Sequence, residues 1–283
     1  MKHVALVPNM LTLANAGCGL LAISKAIDAL ALGAGAPGFH QLFEQACWLV
    51  LFALILDALD GKVARLTHSF SDFGAQLDSF ADAITFGVAP AMLGKALLES
   101  HGLFHPRLNF FAAAAFTLMA VLRLARFNVG NEHGEEHHRT FTGLPSPAAA
   151  GTLVITILMS FSLGGGIEGS GADATAVGKG LAVIPEEWRM TLTSVLQPAV
   201  LFLLAGLGLL MVSRVTYAHG FGVISRSGGF PALVKLVFLF LALYLAPVPV
   251  LFVAAYAYVL HGLLTGLRAK TKRTAPESHK EAA

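Results

Sequence analysis

Charged residues are scarce in this chain. Lys, Arg, Asp and Glu make up 13% of its 283 residues, and 55% are hydrophobic; a soluble domain carries about 25% charged residues. That shortage excludes a water-soluble globule. The net charge of +2 comes without a basic stripe interleaved with aromatics, which excludes a nucleic-acid partner. Cysteine is nearly absent. Cys18 and Cys47 lie in apolar segments with no CxxC or CxxH company, so they read as buried free thiols. No cleavable leader is expected, because the first apolar stretch begins just after Lys2 and His3 and runs to about Leu32, too long for an h-region. An internal repeat is also missing. Nothing in 140–265 mirrors the acidic residues of 57–82, whereas many transporters are built from inverted halves.

Apolar runs of membrane-crossing length are what the chain has instead. They predict an all-α integral membrane protein with about eight transmembrane helices, near 10–32, 42–63, 75–98, 108–128, 147–163, 194–213, 232–246 and 248–265. The last two meet at Pro247-Val-Pro249, as a tight helical hairpin or one kinked helix. Residues 1–267 read as a single transmembrane domain and 268–283 as a basic, disordered tail. The Gly- and Ala-rich stretch 164–193 reads as an extracytoplasmic loop; it has no G-x4-G-K-[ST] pattern for a phosphate cradle. His133-Gly-Glu-Glu-His-His138 lacks the HExxH spacing and reads as a solvated polar loop. Lys and Arg gather on one side: Lys62, Arg65, Arg123, Arg126, Arg139, Arg214, Arg226, Lys235 and the tail. The positive-inside bias therefore puts both termini, and the ends of spans 2 and 3, in the cytoplasm.

Four carboxylates interrupt this apolar pattern. Asp57 and Asp60 are three residues apart, and Asp78 and Asp82 four apart, so each pair projects from one helical face. Each carboxylate at membrane depth costs roughly 2.5–3.5 kcal/mol, and the nearby Lys62 and Arg65 are too few to pair four acids. Divalent metal is the economical partner for hard oxygen ligands. Gly61 lies one turn beyond Asp57 and Gly74 one turn before Asp78, where the missing side chains leave clearance for a ligand. Arg65 offers a fork suited to phosphate. Acids, clearance and cation together suggest a substrate bearing a diphosphate.

The spacing D-x2-D-G-x2-A-R-x8-G-x3-D-x3-D holds at every fixed position from Asp57 to Asp82. It resembles the signature of the CDP-alcohol phosphatidyltransferases, integral membrane enzymes of phospholipid synthesis. The stretches Arg123-Leu-Ala-Arg126-Phe-Asn128, Phe141-Thr-Gly-Leu-Pro-Ser-Pro147, Val88-Ala-Pro-Ala91 and Leu6-Val-Pro-Asn9-Met-Leu-Thr12 are similar to the phosphatidylserine synthase branch. The likeness covers about residues 6–160. It implies transfer of a phosphatidyl group from CDP-diacylglycerol to the hydroxyl of L-serine, with release of CMP, at the cytoplasmic face of the cell membrane. It further implies two divalent ions, Mg2+ or Mn2+, on Asp57, Asp60, Asp78 and Asp82, with Asp82 as general base. Gly61, Ala64, Arg65, Ser71 and Gly74 match the CDP-diacylglycerol positions, and Asn9 and Thr12 add polar contacts. By the same analogy the protein is a homodimer.

Arg123 and Arg126 share one helical face at the end of span 4. They read either as interface anchors or, with Asn128, as the site for the anionic group of serine. Two rivals use the same acids. One is the same chemistry with another alcohol, such as glycerol 3-phosphate, inositol or inositol phosphate; a phosphorylated acceptor should want a denser cationic cluster. The other is a metal- or proton-coupled transporter.

Overall fold

The computed structural model describes residues 6–67, 71–132, 141–164, 181, 184–217 and 230–273. The His133–His138 stretch, most of the 164–193 loop, the tail beyond 273 and the cations Lys2, Arg139, Lys179 and Arg226 lie outside these residues.

The described chain is helical apart from one short strand pair. In order it comprises α1 (Leu6–Leu32), α2 (Phe39–Leu66), α3 (Asp72–Asp82), a π-helical turn (Ala83–Val88) and α4 (Ala89–Ser100). There follow α5 (Pro106–Glu132), β1 (Phe141–Thr142), α6 (Ser146–Leu163), α7 (Glu186–Val212), β2 (Thr216–Tyr217), α8 (Phe230–Leu245) and α9 (Pro247–Arg273). Taking α3 to α4 as one span, seven helices among the described residues are long and apolar enough to cross a membrane. The eighth expected span, α8, has 16 residues and reaches about 24 Å, short of the ~30 Å hydrocarbon core. Residue Ala246 alone separates it from α9: its N–H donates to Ala242 O at 2.9 Å, and its carbonyl accepts Val250 N–H at 3.2 Å. The chain thus forms two helices here, as the two prolines imply.

Lipid gives helices no hydrophobic reason to associate, so packing rests on close contact between small side chains. The core follows that rule. Ala22, Ala26, Ala29, Ala46, Ala89 and Ala149 are fully buried beside Phe39, Phe43, Phe116 and Leu153, while Leu13, Leu20, Phe52, Ile55, Phe111 and Phe202 stay exposed as a belt for acyl chains. Gly19 of α1 meets the π turn so closely that a Cβ there would lie 2.9 Å from Thr85 Cα. Thr85 Oγ1 donates to the Asn15 carbonyl at 3.1 Å, which ties the π turn to α1.

The strands β1 and β2 pair antiparallel, Phe141 opposite Tyr217 and Thr142 opposite Thr216. This joins the entrance of α6 to the exit of α7. Gly143 follows at φ +96°, with its N–H on Val215 O at 2.8 Å and no room for a Cβ against Met211 O. Further along, α9 passes this ladder with Gly262 against Tyr217 and Gly266 against Val215. Its earlier Tyr256 meets Thr156, Oη to Oγ1 3.0 Å, about 15 Å along α6 from that helix's start. The helix therefore runs back toward the end of the bundle where α6 begins and α7 ends.

Gly143→Ala should lower the thermal midpoint in detergent by several degrees, since it adds both left-handed strain and a backbone clash. Gly206→Ala on α7, where a Cβ meets nothing within 4 Å, should leave the midpoint unchanged or slightly raised. Equal midpoints for the two variants in a scan of intrinsic fluorescence would contradict this packing.

Candidate active site

The acids come from two helices that meet at one end of the bundle. The i, i+3 spacing on α2 and the i, i+4 spacing on α3 turn each pair to a single face, and α1 packs against both. One oxygen each from Asp57, Asp60 and Asp78 fall within 4.8 Å of one another. Asp82, one turn along α3, interacts electrostatically with the other three and with Arg123. All four predicted metal ligands are therefore brought together, with three in the tight group and Asp82 at its deeper edge.

Arg123 offsets only part of their charge, through Asp82. No ion pair joins the four carboxylates to a cation among the described residues, and Asp78 Oδ1 and Asp82 Oδ1 are buried with no hydrogen-bond partner. Buried anionic oxygens without donors are costly, and a divalent cation is the ligand that such an all-oxygen set fits. The residues present thus suit the Mg2+ or Mn2+ expected from the sequence.

Around the acids, the other predicted residues divide. Thr12 Oγ1 donates to Asp60 Oδ2 at 2.9 Å and lies 3.1 Å from Pro8 O. It orients a carboxylate, a role outside the nucleotide contact expected of it. Asn9 is buried, and its Oδ1 would stand 3.2 Å from a Cβ at Gly74. The clearance expected at Gly74 is consequently absent: α1 and the Ser71 side chain fill it, and the glycine serves close packing. Gly61 does open onto free space, with nothing within 4 Å of a Cβ there. Ala64 stands on the same helix one turn beyond Asp60. Arg65 is exposed and folds back along α2, its Nε donating to Gly61 O at 3.0 Å. Ser71 caps α3, its Oγ accepting the Gly74 N–H at 3.0 Å, a standard end for a helix whose first N–H groups lack partners.

The residues of the expected second constellation hydrogen-bond to different elements. Arg123 is half-buried, donates from Nη1 to Ser146 Oγ at 2.9 Å, and interacts electrostatically with Asp82. Arg126 is exposed and reaches the Val212 carbonyl at the end of α7, 3.4 Å away. Asn128 donates from Nδ2 to Ser79 Oγ at 2.9 Å, beside Asp78 on α3. Arg123 is the one of the three whose charge acts on Asp82. Its partner Ser146 lies inside the Phe141–Pro147 stretch noted from the sequence, between two prolines that fix the start of α6. The π turn directly after Asp82 was not legible beforehand; π-helical turns concentrate at functional sites.

Comparison with known proteins places this geometry. The sequence model of the family described as CDP-alcohol phosphatidyltransferase matches residues 5–185. The chain is 38% identical over 154 residues to the CDP-diacylglycerol--serine O-phosphatidyltransferase of Helicobacter pylori, covering 54% of this chain and 58% of that protein. It is 35% identical over 149 residues to the protein of the same name from Bacillus subtilis, covering 53% of this chain and 73% of that one. To the archaetidylserine synthase of Methanothermobacter thermautotrophicus it is 38% identical over 157 residues, covering 55% and 59%. The match thus spans little more than half the length of the first and third of these relatives. The family match at residues 5–185 includes the whole Asp57–Asp82 segment and α1 to α6. The chain belongs to the CDP-alcohol phosphatidyltransferase family.

Proposed function

We propose that the protein transfers the phosphatidyl group of CDP-diacylglycerol to L-serine, giving phosphatidylserine and CMP. The observation that carries this reading is the group of four carboxylates, two of them with an orphaned buried oxygen, set in the signature spacing and flanked by the open space at Gly61. The names of the relatives supply the choice of serine.

Asp57, Asp60, Asp78 and Asp82 would hold two divalent ions, Mg2+ or Mn2+. When bound, such ions neutralise the diphosphate and stabilise the charge on the departing CMP. The chain's own residues do the rest. Thr12 fixes Asp60. Arg65, beside the gap at Gly61, takes a phosphate oxygen, with the Ser71 hydroxyl as a further donor. Asp82 accepts the proton of the serine hydroxyl as that oxygen attacks the phosphorus bearing diacylglycerol. The bond from this phosphorus to the bridging oxygen breaks, and CMP leaves with the electron pair. Attack is taken as direct, since among the described residues no Ser-His pair is hydrogen-bonded beside the acids.

The basic bias of Lys62, Arg65, Arg123, Arg126 and Arg214 sets the site on the cytoplasmic side of the cell membrane. Helix α1 starts near the acids, with Thr12 on Asp60, and α9 returns past β2, which supports a reading with both ends of residues 1–267 on that side. We take this stretch as one transmembrane unit that works as a homodimer.

Purified protein in detergent, given CDP-diacylglycerol and Mn2+, should release CMP when serine is added, and EDTA should abolish the release. Release only with inositol or glycerol 3-phosphate would contradict the choice of acceptor, and metal-dependent flux without CMP would favour a transporter. Asp57→Ala and Asp78→Ala should each cut CMP release by at least about 100-fold in folded protein; near-normal activity in either would remove the metal site. Thr12→Val should act through Asp60, raising the Mn2+ concentration for half-maximal activity about 10-fold. An unchanged Mn2+ dependence would leave Thr12 a packing residue.

A further inference from the structure

One face of α1 is buried along its length, through Thr12, Asn15, Gly19, Ala22, Ala26 and Ala29. Most of these side chains are small, as close helix packing requires. Asn15 departs from that pattern. It is 0% exposed, and neither its Oδ1 nor its Nδ2 has a hydrogen-bond partner. Among the described residues no other side chain carries two such atoms. Folded proteins satisfy the great majority of buried polar groups, and an apolar residue would fill this place without the desolvation cost.

The contacts of its neighbours fix the level of Asn15 in the bundle. Helices α1 and α2 run antiparallel, with Lys25 bonded to Gln45 at 2.6 Å and Thr12 to Asp60 at 2.9 Å. Three residues onward on α1 and three back on α2, Asn15 stands level with Asp57. Helices α1 and α3 run parallel, Asn9 meeting Gly74 and Gly19 meeting Thr85, so Asn15 falls between the levels of Asp78 and Asp82. An apolar layer lies just beyond: Ala53, Phe86 and Ala150 are fully buried, with Cys18 and Leu54 packed against them. One turn from that layer toward the acids, the same four helical segments present Asn15, Asp57, Asp82 and Ser146. The backbone here is fixed, since the Asn15 carbonyl accepts Thr85 Oγ1 at 3.1 Å.

We propose that Asn15 is a positioning residue of the metal centre, its amide serving Asp57 and Asp82 through bound water as Thr12 serves Asp60 directly. Nδ2 offers two N–H donors at the level where Asp82 Oδ1 is buried without one. Oδ1 accepts from water in the shell of a bound ion, and such outer partners orient the ligating carboxylates. The apolar layer behind the amide leaves it no other polar neighbour on that side. This assignment rests on the metal-site reading of the four aspartates and adds to it a residue outside their signature spacing.

The test is Mn2+ titration of the full chain in detergent with CDP-diacylglycerol, followed by the free-ion electron paramagnetic resonance signal, for Asn15→Leu and Asn15→Ala. The thermal midpoint in EDTA is measured beside it. Asn109→Leu is the control: Asn109 is also buried with an unpaired oxygen, but it bonds Leu103 O at the start of α5. Both Asn15 variants should raise the Mn2+ concentration for half-saturation about 10-fold, and Asn109→Leu should leave it unchanged. In EDTA the midpoint of Asn15→Leu should equal or exceed that of the wild type, because an unpaired amide has been removed. Mn2+ binding by the wild type with unchanged half-saturation in the Asn15 variants overturns the role of Asn15 alone. A midpoint in EDTA lowered by several degrees in both variants, or loss of folded protein in both, assigns Asn15 to packing and equally overturns it. Wild-type protein that binds no Mn2+ overturns the metal-site reading, and the role of Asn15 with it.

Discussion

The structure is organised around the cost of setting four carboxylates against one another at the end of an apolar bundle. Each alone is expensive in a membrane, and mutual repulsion adds to the cost. Among the described residues no salt bridge ties them to a cation. Their oxygens converge instead, three within 4.8 Å, which is the arrangement a shared divalent cation requires. Much of the surrounding architecture serves to hold this unfavourable geometry: Thr12 on Asp60, Asn9 against Gly74, Ser71 as the cap of α3.

Rigidity comes from closeness. Alanine and glycine at the contacts let α1, α2 and the π turn approach to backbone distance, so dispersion replaces the hydrophobic effect that lipid cannot supply. The π turn also has a chemical consequence. A wider turn frees carbonyl groups, and side-chain donors meet them: Thr117 Oγ1 lies 3.4 Å from Gly87 O, and Thr85 is itself anchored on Asn15. Asp82 therefore sits at the junction of two helical geometries, held by neighbours on α1 and α5.

What the sequence made legible was whatever depends on local period. The i, i+3 and i, i+4 spacings placed each pair of acids on one helical face, and hydropathy located most helix ends to within four residues. It missed the start of α7 at Glu186 and the end of α9 at Arg273 by eight, so the expected loop and tail each give up a helical turn or two. Contacts between distant segments were not legible. Gly74 read as clearance because a missing side chain looks the same whether a ligand or a neighbouring helix fills the gap; only the approach of Asn9 decides it. Arg123 and Arg126 share a face by spacing, yet α6 captures one and the end of α7 the other. The eighth span was visible as an apolar run at 232–246, and its 16 helical residues match that run while falling short of the hydrocarbon core.

The central claim, that the four aspartates exist to hold metal, is tested most directly by counting it. Titration of the detergent-purified protein with Mn2+, followed by the loss of the free-ion electron paramagnetic resonance signal in the presence of CDP-diacylglycerol, should show two ions bound per chain. Asp57→Ala and Asp78→Ala should both reduce that number. Stoichiometric binding that persists in both variants, or no binding by the wild type, would contradict the account.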